Sequence, residues 1–189
     1  SVKIVVIDEA HNLESKVRSA TTRSLEQARL LTLIKQVQHE VPAEMTAHIQ
    51  GEVNSAKSAV RAFFKRLQEQ VRRQIAESEQ DMKYADRFFF RQDENSLALL
   101  RDMASTLKRL SESAQILSTL DLRRGDSGDA ADDFYETADA LSTLTNELHT
   151  NLLWIERKGR ALELVFCPRN MRNIIRELYF EGNIRTVLT

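Results

Sequence analysis

Val2–Leu13 reads VKIVVIDEAHNL, and the change within it from apolar to charged decides how the rest of the chain is read. Ile4, Val5, Val6 and Ile7 are consecutive and β-branched, which suits a strand buried on both faces of a parallel sheet. A buried strand does not keep unpaired charge inside it, so Asp8 and Glu9 belong at its C-terminal edge. Ligands of open α/β sheets bind at that edge. Two carboxylates there suit a hard cation such as Mg²⁺, which uses one or two acidic ligands, water and substrate phosphate. Ala10, His11 and a helix-prone segment to about Ser19 complete the stretch.

Thr21–Ser24 then interrupts the pattern, and Ser24-Leu25-Glu26-Gln27 has the form of a capping box. Leu30, Ile34, Val37 and Val41 then recur at helical spacing, with Pro42 marking the end of that helix or the start of the next. The longest stripe runs through Met45, Ile49, Val53, Ala56, Val60, Phe63 or Phe64, Leu67, Val71 and Ile75. It predicts one helix from roughly Ala43 to Gln80, ~55 Å long at ~1.5 Å per residue. Gly51 inside it costs only about 1 kcal/mol relative to Ala. Between Asp81 and Asn95 the period is lost, and Tyr84 and Phe88–Phe90 read as plugs of a helical bundle on an irregular or extended connector.

A third long helix is expected from about Ser96 to Leu122, with Leu100, Met103, Leu107, Leu110, Ala114 and Leu117 inward. Arg123–Asp129 reads as a turn or loop. A fourth helix is expected from about Ala130 to Thr150, with Phe134, Ala138, Leu141, Thr145, Leu148 and Leu152 inward. Four narrow stripes bury themselves on one another, which makes the chain mainly α with a four-helix-type core. The period then changes. Leu152–Glu156 and Ala161–Phe166 around Arg157–Arg160 predict a β-hairpin, Asn170–Phe180 a short helix, and Ile184–Leu188 a last strand.

Composition narrows the class. The 189 residues carry a net charge of −1, so any nucleic-acid surface is local rather than global. Charged residues make up 29% while Gly (5) and Pro (2) are scarce, the balance of long helices with one wet face. No apolar run approaches the ~18 residues that cross a bilayer, and no secretory segment opens the chain. Cys167 is alone, which excludes a disulfide framework within one chain and makes a reducing cytoplasm (or nucleus) the expected setting. Ser1 followed at once by an apolar strand gives the look of a piece of a larger protein.

Asp8-Glu9-Ala10-His11 after an apolar strand resembles the Walker B motif (motif II) of DEAH-type superfamily 2 helicases, and with Asn12-Leu13-Glu14 it most resembles the XPD/DinG DNA helicases. At the other end, Arg185-Thr186-Val187-Leu188-Thr189 resembles the strand that leads into motif III of that family. The resemblance implies a RecA-like motor in which these two strands are parallel neighbours, so that Ile4–Ile7 pairs with Ile184–Leu188. It further implies three parts: residues 1–13 as motif II strand and DEAH box, residues 14–160 as a helical arch-like insertion, and residues 161–189 as the return to the motor domain.

The family's activity is ATP-dependent 5′-to-3′ DNA unwinding in repair or replication. By resemblance, the catalytic residues are Asp8, Glu9 and His11: Asp8 (with Glu9) holds Mg²⁺, Glu9 polarises the water that attacks the γ-phosphate, and His11 links nucleotide state to motif III or to the second motor domain. ATP and Mg²⁺ are then cofactors of the whole helicase, an iron–sulfur cluster lies upstream in many relatives, and single-stranded DNA is the partner. The chain contains no Gly-x-x-x-x-Gly-Lys-Ser/Thr phosphate cradle, so no activity is expected of it alone. The competing reading is a non-enzymatic helical interaction module whose DEAH stretch is a chance match.

Basic residues supply DNA-binding candidates. Arg61, Lys65, Arg66, Arg72 and Arg73 are opposed locally only by Glu69, and Arg61, Lys65 and Arg72 share a helix face. Such a face is either a phosphate track or simply solvated. Arg87 and Arg91 flank Phe88–Phe90 in an arrangement used for stacking on single strands, although core filling is the favoured reading of those aromatics. The acidic run Asp126, Asp129, Asp132, Asp133, Glu136 and Asp139 lacks the spacing of a Ca²⁺ loop. Cys167 reads as a buried strand residue and Trp154 as a core anchor, while His39, His48 and His149 are too scattered for a metal site.

Overall fold

A computed structural model describes residues 3–42, 44–78, 84–120, 129–181 and 184–188. The expected loop at Arg123–Asp129 lies outside the described residues except for Asp129, which opens a helix. The expected helix end at Leu122, the outer ends of the long helix at Ala43 and Gln80, and Gly182 lie outside them as well. The chain is mainly helical, and its centre is a ring of four helices: α2 (Gln27–Glu40), α3 (Thr46–Glu77), α4 (Glu94–Leu120) and α5 (Asp129–Asn146). α2 packs on α3 and α5, and α4 packs on the same two, so the bundle is closed.

The stripes read from spacing are the ones buried. On α3, Ile49, Val53, Ala56, Val60, Phe63, Phe64, Leu67 and Val71 are all inside, over 32 residues or ~48 Å. Phe63 and Phe64 meet edge to face at 5.6 Å, and both are buried, so the stripe widens here to take in two adjacent rings. Leu100, Met103, Leu107 and Leu110 line the core from α4, and Phe134, Ala138, Leu141 and Leu144 from α5. Each fully buried Leu or Phe contributes roughly 1.5–3 kcal/mol.

α5 is shorter than its periodicity suggests. It stops at Asn146, a single 3-10 turn occupies Leu148–Thr150, and Leu152 lies in a strand with 41% of its surface exposed. Leu144 rather than Thr145 holds the inward position, and the Thr145 hydroxyl donates to the Ser142 carbonyl instead.

An antiparallel sheet closes one side of the bundle. Its order is β2 (Arg23–Glu26), β5 (Ala161–Pro168), β4 (Asn151–Lys158), β3 (Arg87–Phe89). The predicted hairpin is β4–β5, with Gly159 at φ +63 in its turn, a conformation that glycine adopts without strain. A division of the chain at residue 160 therefore falls inside one hairpin.

β2 and β3 are strands that local spacing does not predict. The register puts Leu25, Leu164, Ile155 and Phe88 in one row across the sheet, all buried against the helices. That burial explains why Ser24–Gln27 is not a capping box: Glu26 is extended and caps nothing with its side chain, and α2 begins only at Gln27. Leu25 gains more by packing on Leu164 than Ser24 would gain as a cap. The free edge of β3 is covered from α3. Gln74 and Gln70 exchange hydrogen bonds with the backbones of Phe89 and Arg91, as a neighbouring strand would.

The chain's two ends form a second, smaller layer. β1 (Lys3–Ile7) and β6 (Ile184–Leu188) pair in parallel, with Ile4 opposite Arg185 and Ile7 opposite Leu188, the pairing that the resemblance implies. α1 (Leu13–Thr21) and α6 (Met171–Tyr179) pack on each other, and α1 also lies over β5. β5 is thus covered on both faces, which is why Leu164, Val165, Phe166 and Cys167 are buried in succession. Asn170 caps α6 by accepting from the Asn173 backbone N–H at 3.2 Å. No helix among the described residues is long and apolar enough to cross a membrane.

Candidate functional site

β1 ends where the charges begin, and the turn after it is tight. Glu9 has φ 51 and ψ 51, the left-handed region, and is the one non-glycine residue with positive φ among the described residues. For an L-residue with a long side chain this costs about 1–2 kcal/mol. Local bonds hold it. The Glu9 backbone N–H donates to Asp8 Oδ1 at 2.9 Å, and the Asn12 N–H donates to the Glu9 carbonyl at 2.9 Å. Asn12 Nδ2 donates to Glu9 Oε2 at 3.2 Å and lies 3.0 Å from His11 Nε2.

Asp8, Glu9 and His11 are all exposed and lie within one turn of chain. Asn12 ties two of them together, a role that spacing alone does not reveal. The only sequence signal is an amide three residues after an acid. Asp8 and Glu9 also line a cleft of about 470 Å³, together with Val6, Lys16, Leu178 and Tyr179. His11 does not line that cleft.

As a donor set the turn offers exposed carboxylate oxygens, which suit Mg²⁺. Among the described residues no three His, Cys, Asp or Glu side chains converge as a metal site. A cation held here would complete its shell with water and a bound phosphate.

The basic candidates separate into three groups. Arg61, Lys65 and Arg72 are exposed on α3 at steps of four and seven, which makes them one outward stripe, and Arg73 is exposed a quarter turn away. Arg66 is different. Its side chain is 12% exposed, with Nη2 2.8 Å from Asp93 Oδ2, Nη1 3.4 Å from Glu69 Oε2, and Nε donating to Ser96 Oγ at 3.0 Å. It anchors the start of α4 to α3 and is not part of the stripe. Asp93 also accepts from the Ser96 N–H and hydroxyl, and these bonds, with Arg66, hold its carboxyl below the usual range.

The third group lies on and beside β3. Arg91 is ion-paired with Glu77, while Arg87 is mostly exposed, 4.0 Å from Glu156 and 6.0 Å from the centre of the Trp154 ring. Phe88 and Phe90 fill the core as expected, but Phe89 points the other way and is 77% exposed. Trp154 is half-buried on that outer face, and its Nε1 is buried with no acceptor among the described residues. Cys167 is buried in β5.

In sequence, no known family model and no curated protein matches this chain.

Proposed function

We propose that this chain is the motif II to motif III stretch of an ATP-dependent DNA helicase similar to XPD and DinG, its closed helical bundle and sheet being an arch-like insertion that guides or separates strands. The observation that carries this reading is the parallel, in-register pairing of β1 with β6, with Asp8 and Glu9 at the C-terminal end of β1. That is where a nucleotide-dependent α/β sheet keeps its ligand, and an insertion whose two ends meet on adjacent strands leaves the sheet intact.

On this reading Asp8 would hold Mg²⁺, which would supply charge neutralisation to the phosphates of bound ATP. Glu9 orients and polarises the attacking water. Its backbone is left-handed, and Asn12 holds its carboxylate by the hydrogen bond to Oε2. His11 shares the same Asn12 Nδ2 with Glu9, and so is positioned to sense whether Glu9 is engaged.

The coding sequence on either side of this stretch tests the proposal. A Gly-x-x-x-x-Gly-Lys-Ser/Thr phosphate loop upstream and Ser-Ala-Thr or Ser-Gly-Thr directly after Thr189 support it. Absence of both leaves a non-enzymatic interaction module, for which the closed bundle would serve equally well. In the whole helicase, Glu9→Gln abolishes ATP hydrolysis while retaining ATP binding. The purified 189-residue chain hydrolyses no ATP, and a rate above background that is lost in Glu9→Gln overturns that statement.

A further inference from the structure

The outer face of the antiparallel sheet is packed by α1 chiefly over β5. α1 reaches the edge of the β3–β4 half through Arg18, and that half leaves Phe89 and Leu152 exposed beside Trp154. The register gathers these side chains. Phe89 stands opposite Trp154, Leu152 opposite Cys167 and Arg87 opposite Glu156, so an aromatic pair sits between an apolar pair and a charged pair on one face. A cavity of about 360 Å³ opens there, with Arg18, Arg87, Phe89, Leu152, Trp154 and Cys167 in its lining.

Two features of this lining point to an occupant. It contains two guanidinium groups and no carboxylate, and the acids that pair with Arg18 and Arg87, Glu14 and Glu156, stand outside it. It also presents a phenyl ring that is 77% exposed although neighbouring Phe88 and Phe90 are buried. An apolar protein segment would use the rings and leave two cations desolvated. A nucleotide uses both, because every base has a π-face for the ring and every phosphate has oxygens for a guanidinium.

We infer that this cavity takes one base of a single DNA strand, stacked on Phe89 beside Trp154, with Arg87 and Arg18 on the flanking phosphates. The inference rests on the reading of the insert as a DNA-contacting unit, and adds to it a base-stacking site on a different element from the α3 stripe.

Trp154 is the chain's single tryptophan, so its emission reports on this cavity alone. The test titrates the 189-residue chain with a thymidine oligonucleotide of about 15 nucleotides and with an abasic strand of the same length, at low salt. Binding is followed in parallel by anisotropy of the labelled strand. The expected result is saturable quenching of Trp154 by the thymidine strand and none by the abasic strand. Phe89→Ala weakens thymidine-strand binding roughly five- to hundredfold, the range for loss of one stacked base. The same variant leaves abasic-strand binding and the thermal melt unchanged, and Phe89→Tyr restores affinity. If the thymidine strand binds by anisotropy but Trp154 emission and Phe89→Ala affinity do not change, the cavity inference is overturned while the DNA-contacting reading stands. If neither strand binds, both fall.

Discussion

Gln74 of α3 and Phe89 of β3 exchange two hydrogen bonds: the Phe89 backbone N–H donates to Gln74 Oε1 at 3.0 Å, and Gln74 Nε2 donates to the Phe89 carbonyl at 2.8 Å. One turn earlier Gln70 does the same for Arg91, at 2.8 and 2.9 Å. Two side-chain amides thus stand in for a missing strand, and both are buried at positions that a hydrophobic stripe would give to Leu. Leaving buried backbone groups unpaired costs about 1–3 kcal/mol. Gln74→Leu, although it matches the stripe, is expected to destabilise by that amount. Urea denaturation checks this as a lower midpoint at unchanged slope.

Asp93 makes stability pH-dependent. Its carboxyl is held below the ordinary value of 3.8, chiefly by the Ser96 backbone N–H and further by the Ser96 hydroxyl and Arg66. A depressed folded-state pKa lends stability that is complete above the unfolded value and is lost as pH falls through the folded one. Asp93→Asn is expected to be less stable than wild type at pH 7. The gap narrows below about pH 4. Thermal melts of both proteins between pH 3 and pH 7 (about the span of that titration) measure it, and parallel curves throughout would contradict the assignment.

The turn at Glu9 carries a backbone cost. Glycine adopts a φ of 51 without the steric cost that Glu9 bears. Glu9→Gly is therefore expected to raise stability by up to about 1 kcal/mol, less whatever the Asn12 bond contributes. A β-branched residue is expected to do the reverse, so Glu9→Val melts lower than wild type. On the proposed helicase reading both variants are also expected to lose ATP hydrolysis, which an ATPase assay separates from the folding effect.

Salt dependence distinguishes a phosphate track from a solvated helix face on α3. If Arg61, Lys65 and Arg72 each neutralise one phosphate of a single strand, replacing all three by Ala lowers the slope of log K against log salt by about 2. Arg66→Ala is expected to leave that slope alone and instead to lower the melting temperature, because Arg66 is committed to Asp93, Glu69 and Ser96. Equal slopes for wild type and the triple variant would assign the stripe to solvation.

Period and turn chemistry are local, and they determined much of the architecture before any tertiary contact is considered. The stripes of α2, α3 and α4 were legible because an i, i+3, i+4 pattern has one physical solution, a helix with that side buried. The β4–β5 hairpin and the strands at the chain's two ends were legible because short apolar runs bounded by turn residues have few alternatives. Asp8 and Glu9 were legible as a strand-end pair for the same reason. Tertiary structure decided the rest. Arg23–Glu26 is a strand only because Leu164 is there to receive Leu25. Gln70 and Gln74 are inside only because an unpaired edge faces them, and Arg66 turns inward only because Asp93 stands beside it at the start of α4. Phe89, alone of three consecutive phenylalanines, is outside because strand alternation turns it away from the bundle, and only the register with Trp154 turns that exposed ring into a cavity. A side chain's spacing along the chain states which face it shares, but its partner comes from residues dozens of positions away, and only folding brings the two together.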